Sequence, residues 1–147
     1  MELQEQVREN AEIVRRIAKE HMNVVVDFDE AGVTWLDGYL DRQRDSASDE
    51  LKAKLPDTLG SFLGECVRAR YGGRWVVNPE YGLELRFSDR LSIFPLNKVK
   101  KQLSNADGDS VLGLYRAIGP MLARKPDART AAPAAPARRP WWQFWKS

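Results

Sequence analysis

Apolar residues recur at intervals of three and four along the first part of the chain, where they alternate with charged residues. This spacing places one apolar stripe on a helix and predicts an amphipathic helix over residues 3–22. Asn23 is the expected end of this helix. The apolar stripe consists of Leu3, Val7, Val14, Ile17, Ala18 and Met22.

A second helix is predicted to follow an aspartate cap. Asp27 and Asp29 both precede a helical pattern, and either side chain can accept hydrogen bonds from the first free N–H groups. Residues 41–54 are polar and are predicted to hold the end of this helix and an exposed connection. The expected inner face carries Val33, Leu36 and Leu40, with Trp35 and Tyr39 beside it.

The third helix is predicted to begin at Pro56 and to form the centre of the core, because proline suits the first helical position. Gly60 and Gly64 lie four residues apart on a neighbouring face, which predicts close approach of another backbone. The apolar stripe is Leu55, Leu59, Phe62, Leu63, Cys66 and Val67.

After Gly72 and Gly73 the hydrophobic period changes from helical to alternating. Residues 74–78, 82–87 and 91–94 read as strands with short turns between them, which predicts an antiparallel meander. In the second strand Leu83, Leu85 and Phe87 share one face and Glu84 and Arg86 the other. We therefore expect an α+β fold, a small three-stranded antiparallel sheet covered on one face by helices.

Two further helices are predicted before the folded domain ends. One covers residues 95–103, and the next follows a cap at Asp109 or Ser110. The latter carries Val111, Leu114, Tyr115, Ile118 and Leu122 at helical spacing. The domain is expected to span residues 1–123.

The C-terminal segment, residues 124–147, has a different composition. Residues 124–140 contain four prolines and no large apolar side chain, so a disordered Ala/Pro/Arg linker is expected. Residues 141–147, the aromatic peptide, hold three of the five tryptophans of the chain within the run WWQFW. This placement is the main anomaly of the sequence.

Charge is divided between these two parts. Residues 1–123 carry 17 Lys/Arg against 20 Asp/Glu, a net −3, and residues 124–147 carry 6 against 1, a net +5. A mildly acidic domain argues against nucleic-acid binding, which normally needs a basic face. The sequence has no long apolar run and no signal-peptide pattern, so a soluble cytoplasmic protein is expected.

No cofactor or metal is predicted. One cysteine and one histidine cannot supply a four-ligand zinc site, and Gly72-Gly73 precedes a strand where a phosphate loop would precede a helix. Cys66 lies on the apolar stripe of its helix and is expected to be buried and inert. His21 is expected to be a cation near a helix C-terminus.

Carboxylates offer the other route to catalysis. Asp27, Asp29, Glu30 and Asp37 are clustered in sequence, but a helix N-terminus attracts negative charge and accounts for the first three. An unrecognised enzyme would use Glu65 with Asp27 and Asp29. We expect the protein not to be an enzyme.

Three segments, LGSFLGECVRARYGGRW, GLELRF and LSIFPLNKVKKQL, together resemble an uncharacterised family of small bacterial domains of unknown function. The resemblance covers roughly residues 28–122. It implies a glycine-containing helix, a Gly-Gly-x-Trp entry into a short antiparallel sheet, and a third strand that runs into a Pro-led helix. It implies no activity, cofactor or catalytic residue. The positions concerned are Gly60, Gly64, Glu65, Gly73, Trp75 and Pro95.

The preferred function is that of a protein-interaction module with a C-terminal docking peptide, because tryptophan dominates binding hot spots. The predicted partner-binding residues are Arg138, Arg139, Trp141, Trp142, Phe144 and Trp145.

Three alternatives stay open at this point, and the oligomeric state is not predicted. The peptide could fill a groove on its own domain. It could also rest weakly on an anionic membrane, with Arg138, Arg139 and Lys146 near the headgroups. The acidic domain could instead be an immunity or inhibitor protein that caps a toxin enzyme.

Overall fold

The computed structural model describes residues 2–105, Gly108 and residues 110–123. Within these residues the chain forms five helices and a three-stranded antiparallel sheet of order β1-β2-β3, which confirms the predicted α+β class. The elements are α1 (Leu3–Met22), α2 (Glu30–Ser46), α3 (Asp49–Tyr71), β1 (Arg74–Asn78), β2 (Gly82–Arg86), β3 (Ser92–Ile93), α4 (Pro95–Ser104) and α5 (Val111–Ala123).

Helix α3 lies at the centre of the fold, as predicted. It packs against each of the other four helices, and every residue from Leu59 to Val67 is buried. A helix buried on all sides cannot show a narrow apolar stripe, and this one carries Ser61 and Glu65 inside the core. The buried apolar residues of all five helices and the sheet form one cluster with α3 in its middle.

The predicted start of α3 at Pro56 is wrong. The helix begins at Asp49, and the hydroxyl of Ser48 caps it by accepting a hydrogen bond of 3.1 Å from the Leu51 N–H. Asp49 and Glu50 in the first turn favour this start because they complement the helix dipole. Pro56 is buried inside the helix. The predicted long connection over residues 41–54 is therefore reduced to Ala47 and Ser48.

The other helices lie where the sequence pattern predicts them, although Ile17 and Met22 of the predicted α1 stripe are exposed. Helix α1 ends at Asn23, which adopts the left-handed conformation with φ 57°. Of the two proposed caps, Asp29 caps α2 by accepting from the Gly32 N–H at 2.9 Å. Ser110 caps α5 by accepting from the Gly113 N–H at 3.1 Å. Asp109, like the predicted linker 124–140 and the aromatic peptide 141–147, lies outside the described residues.

The sheet turns one face toward the helices. Trp75 pairs with Leu85 and Leu85 with Ile93, and all three side chains are buried. Glu84 lies on the opposite face. The expectation that its side chain faces solvent is wrong, because it is buried and accepts hydrogen bonds from Asn78 and Arg86 at 3.2 and 3.1 Å. Polar neighbours on its own strand and on β1 thus replace water around this carboxylate.

Gly60 allows the close backbone approach that the glycine spacing predicts, whereas Gly64 makes room for a side chain. A methyl group added at Gly60 would lie 2.6 Å from the Leu96 Cα at the start of α4. A methyl group at Gly64 would overlap the ring of Trp75. The two glycines therefore set how closely α4 and β1 pack on the central helix.

A search of the described residues for a helix long and apolar enough to cross a membrane finds none.

Candidate functional site

The predicted partner-binding residues all belong to the C-terminal segment. They lie outside the described residues, so the interpretation of the aromatic peptide stays a prediction. The residues concerned are Arg138, Arg139, Trp141, Trp142, Phe144 and Trp145.

Cys66 and His21 do not form a nucleophile and base pair. The Cys66 thiol is fully buried, with its Sγ 3.9 Å from the carbonyl oxygen of Asp27, whereas His21 is exposed in the last turn of α1. Burial raises the pKa of the Cys66 thiol far above its usual range, and the nearby charge of Asp29 adds to the shift. The thiol is therefore held protonated, as expected for a cysteine on an apolar stripe.

The clustered carboxylates of the α2 region are used for local structure. Asp27 forms an ion pair of 2.8 Å with Arg15, Glu30 pairs with Arg116 at 3.2 Å, and Asp37 accepts from Gln102 at 2.9 Å. Each carboxylate therefore joins a different pair of elements. In the described part of the chain, no three His, Cys, Asp or Glu side chains are grouped as a metal site requires.

An open groove lies between the first turns of α1 and the end of α3. Its volume is about 510 Å³, and Glu65, the best candidate of the enzyme hypothesis, lies in its floor. We call it the Glu65 groove. Its lining residues are Gln4, Glu5, Arg8, Glu9, Glu65 and Arg68.

Glu65 is a buried carboxylate whose hydrogen bonds come from three elements. Its side chain is only 1% exposed. Oε1 accepts from Arg8 of α1 at 3.2 Å, Oε2 accepts from the Trp75 indole N–H of β1 at 2.9 Å, and Arg68 of α3 donates to both oxygens. A charge at this depth is tolerated because cations and an N–H satisfy it. With both oxygens engaged, Glu65 is poorly placed to act as a general base.

The two arginines of the groove are fixed by further contacts. The Arg8 guanidinium lies 4.4 Å from the centroid of the Phe28 ring and 3.5 Å from Glu12. Arg68 Nε donates to the carbonyl oxygen of Gly73 at 3.2 Å. Both guanidinium groups also reach the groove surface, since the two side chains are 53% and 36% exposed. The groove thus offers immobilised cations, which bind better than mobile ones because less entropy is lost.

Gln4 joins the groove to the edge of the sheet. Its side-chain amide donates to the Trp75 carbonyl at 3.1 Å and accepts from the Trp75 N–H at 3.4 Å. The side chain thereby makes the two hydrogen bonds that a neighbouring strand would make. One wall of the groove therefore abuts the outer edge of β1.

Carboxylates and guanidinium groups both line the groove. The exposed carboxylates of Glu5 and Glu9 lie at the rim, and the guanidinium groups of Arg8 and Arg68 surround the buried Glu65 carboxylate at the floor. Guanidinium groups favour aromatic rings, and rim carboxylates favour cations. The arrangement is suited to binding a ligand that carries both aromatic rings and cations.

Sequence reasoning identified Glu65 and Trp75 but missed the rest of this site. Gln4 and Arg8 contact residues 71 and 57 positions away along the chain, and no local pattern shows such contacts. Arg68 pairs with Glu65 three residues earlier on the same helix, a local spacing that sequence reasoning did not use. The other available signal was a glutamate among apolar residues within the predicted core helix. A buried glutamate requires a partner, although the sequence does not say which one.

Comparison of the chain with protein-family models, with curated proteins and with solved structures finds no match. The resemblance to an uncharacterised bacterial family therefore stays a prediction.

Proposed function

We propose that this protein is a non-enzymatic interaction module of a bacterial cytoplasm, which recruits a partner protein through its aromatic peptide. The observation that carries the proposal is the run WWQFW, which places three tryptophans and a phenylalanine within five residues behind a linker rich in alanine and proline. Tryptophan is the residue most enriched at binding hot spots, and it is costly to leave in water.

The chemistry of the folded domain supports a binding role. The buried thiol of Cys66 has a raised pKa, and the buried carboxylates of Glu65 and Glu84 accept hydrogen bonds from neighbouring arginines. These groups contribute to the stability of the fold. The domain then acts as a stable carrier for the aromatic peptide.

Rough magnitudes indicate modest affinity. Four aromatic side chains that each bury about 200 Å² contribute roughly 20 kcal/mol at about 25 cal/mol per Å². Ordering about seven residues costs on the order of 10 kcal/mol, and association costs at least about 4 kcal/mol more. The remainder, at most about 6 kcal/mol, corresponds to a Kd of roughly tens of micromolar or weaker.

Quantitative affinity capture with three full-length proteins tests the proposal. They are the natural chain, the aromatic variant W141A/W142A/F144A/W145A, and the charge variant R138Q/R139Q. We expect a partner that the natural chain and the charge variant retain and that the aromatic variant loses. Titration of the purified partner should then give a Kd that rises at least tenfold in the aromatic variant. Identical partner lists for all three proteins would refute the proposal.

Association with an anionic membrane is a second candidate, because Arg138, Arg139 and Lys146 flank the aromatic residues. Each basic residue near such a surface contributes about 1 kcal/mol, and the contribution falls with salt. Tryptophan fluorescence of the same three proteins, titrated with neutral and anionic vesicles at two salt concentrations, separates the candidates. A membrane anchor requires a blue shift with anionic vesicles that both the aromatic and the charge variants lose.

A further inference from the structure

The Glu65 groove and the aromatic peptide have complementary chemistry. We propose that residues 141–147 bind in the Glu65 groove of their own domain, as an intramolecular ligand that carries both aromatic rings and cations. This inference does not depend on whether a partner protein takes up the same peptide. The two proposals can therefore fail separately.

The position of Ala123, after which the C-terminal segment begins, favours this contact. Helix α5 ends at Ala123, and one turn earlier Gly119 lies against Tyr71, where an added methyl group would come within 3.3 Å of the phenol oxygen. Tyr71 is the last residue of α3, three positions after Arg68 of the groove. The segment therefore departs close to the end of α3 that forms the groove.

The length of the segment is sufficient for this contact. Residues 124–140 separate Ala123 from the first tryptophan. A flexible chain of that length has a root-mean-square span of roughly 23 Å, and the fully extended chain covers roughly 55 Å. Four residues of α5 and three of α3 amount to only about 6 Å and 5 Å of helix rise. The groove thus lies within reach of residues 141–147.

Charge complementarity between the peptide and the groove also favours this contact. The aromatic run is preceded by Arg138 and Arg139 and followed by Lys146, and the whole C-terminal segment carries a net +5 against −3 for residues 1–123. Glu5 and Glu9 are exposed at the rim of the groove. Cations on both sides of the aromatic rings can therefore approach rim carboxylates while the rings enter the groove.

The floor of the groove provides a place for the rings. Arg8 already lies 4.4 Å from the Phe28 ring centroid, which is a cation–π contact, and its side chain is still 53% exposed. Arg68 adds a second partly exposed guanidinium at the floor. Tryptophan forms the strongest cation–π contacts of the aromatic side chains, so these arginines favour the indoles of residues 141, 142 and 145.

The edge of β1 extends the same surface with apolar area. Val77 lies two residues beyond Trp75 and is 62% exposed. Gln4 occupies the outer backbone groups of Trp75, two residues before the exposed Val77. A short extended peptide that lies along the groove can therefore cover the Val77 side chain as well.

The tether makes weak binding sufficient. A short linker gives an effective concentration on the order of 1 mM, so a peptide with an intrinsic Kd of about 100 µM would be docked about nine-tenths of the time. A partner protein would compete with the groove for the same peptide. Docking on the domain would then lower the apparent affinity for the partner.

Paramagnetic relaxation enhancement in the full-length chain tests the proposal. Ser147→Cys provides one attachment site for a nitroxide, because the only natural thiol, Cys66, is buried and held protonated. We expect the backbone amides of residues 4–9 and 75–77 to lose most of their signal intensity. The amides of residues 49–54 should keep theirs, because they lie near the other end of α3, about 21 to 28 Å from Arg68 along the helix.

Matched variants separate docking from chance proximity. The aromatic variant W141A/W142A/F144A/W145A should restore the signals of residues 4–9, and so should the rim variant E5K/E9K. The control D49K/E50K makes the same change of charge at two exposed positions in the first turn of α3 and should leave the signal loss intact. Circular dichroism verifies that each variant is folded.

Two outcomes would overturn the proposal. One is signal loss that is equal at both ends of α3 or unaffected by the aromatic replacement. The other is signal loss that is just as strong when isotope-labelled chains without nitroxide are mixed with unlabelled chains that carry it, because the peptide then binds a second copy.

Discussion

The indole N–H of Trp75 donates a hydrogen bond of 2.9 Å to Oε2 of Glu65, and this bond joins the sheet to the central helix. The same carboxylate accepts from Arg8 of α1, so one side chain ties three elements together. Both groups are buried, and neither can exchange its partner for water without opening the fold.

Removing the charge of Glu65 should destabilise the domain. In Glu65→Gln the side chain keeps its size, but it has only one carbonyl oxygen to accept hydrogen bonds from the indole and from the two guanidinium groups. The partly exposed arginines can recover hydrogen bonds from water, and the buried indole N–H cannot. We expect a loss of about 1–3 kcal/mol in the free energy of unfolding, measured by urea titration. Glu9→Gln at the exposed rim should change it by less than about 0.5 kcal/mol.

Gly64→Ala and Gly38→Ala should change stability in opposite directions, although both replace a glycine inside a helix. The added methyl group overlaps the Trp75 ring at Gly64, which predicts a loss of about 1–3 kcal/mol or more. At Gly38 it meets only the flexible end of Arg42, so the gain in helix propensity of roughly 0.5–1 kcal/mol should prevail. Melting temperatures of the two variants test the prediction. A loss of equal size at both positions would contradict it.

Glu84 should make the domain sensitive to acid. Burial pushes the pKa of this carboxyl upward, but hydrogen bonds from Arg86, Ser92 and Asn78 outweigh burial and leave the pKa below its usual value. Because the pKa is lower in the folded than in the unfolded state, the ionised carboxyl stabilises the fold. This stabilisation is complete above the pKa of the unfolded state, near 4.5, and is lost as the pH falls through the pKa of the folded state.

The test of this prediction is the urea midpoint at a series of pH values. In Glu84→Gln we expect a smaller loss of stability between about pH 6 and about pH 3 than in the natural protein. Glu80→Gln, an exposed position in the adjoining turn, should keep the natural pH dependence. Parallel curves for the natural protein and Glu84→Gln would show that the contacts of Glu84 do not favour its ionised form.

Cys66 should resist thiol reagents in the native protein. The thiol is fully buried and held protonated, so reaction requires local or global opening. If opening costs about 4 kcal/mol, labelling should be about a thousandfold slower than in urea-unfolded protein. The rate with an aromatic disulfide reagent measures this ratio, and the Ser147→Cys protein provides an internal comparison. Rapid modification of Cys66 without denaturant would contradict the burial of its thiol.

The elements that sequence reasoning located correctly are those with a clear local period. The stripe of α1 and the alternation of Leu83 and Leu85 are visible within a few residues. Local rules failed where two signals competed. Pro56 satisfies the rule for a helix start, but Ser48 followed by Asp49 and Glu50 satisfies it better. Glu84 follows the alternation rule for a solvent face and is nevertheless buried among polar neighbours.

The groove depends on contacts between residues distant in sequence, which explains why it was missed. Arg8 and Glu65 lie 57 positions apart, and Gln4 and Trp75 lie 71 positions apart. In sequence, Arg8 looks like any other charged residue on the outer face of an amphipathic helix. Only the packing of α1 on α3, together with the return of the chain at β1, makes it part of a site.

The bond between Gln4 and Trp75 also has a consequence during synthesis of the chain. The first helix leaves the ribosome well before β1 exists, and at 5–20 residues per second the 71 residues between them take roughly 4 to 14 s to translate. Over that interval the inner face of α1, with Val7, Ala11 and Val14, has neither β1 nor the second half of α3 to cover it. The nascent chain therefore exposes the apolar face of α1 for seconds, long enough for a chaperone to bind it before the domain has folded.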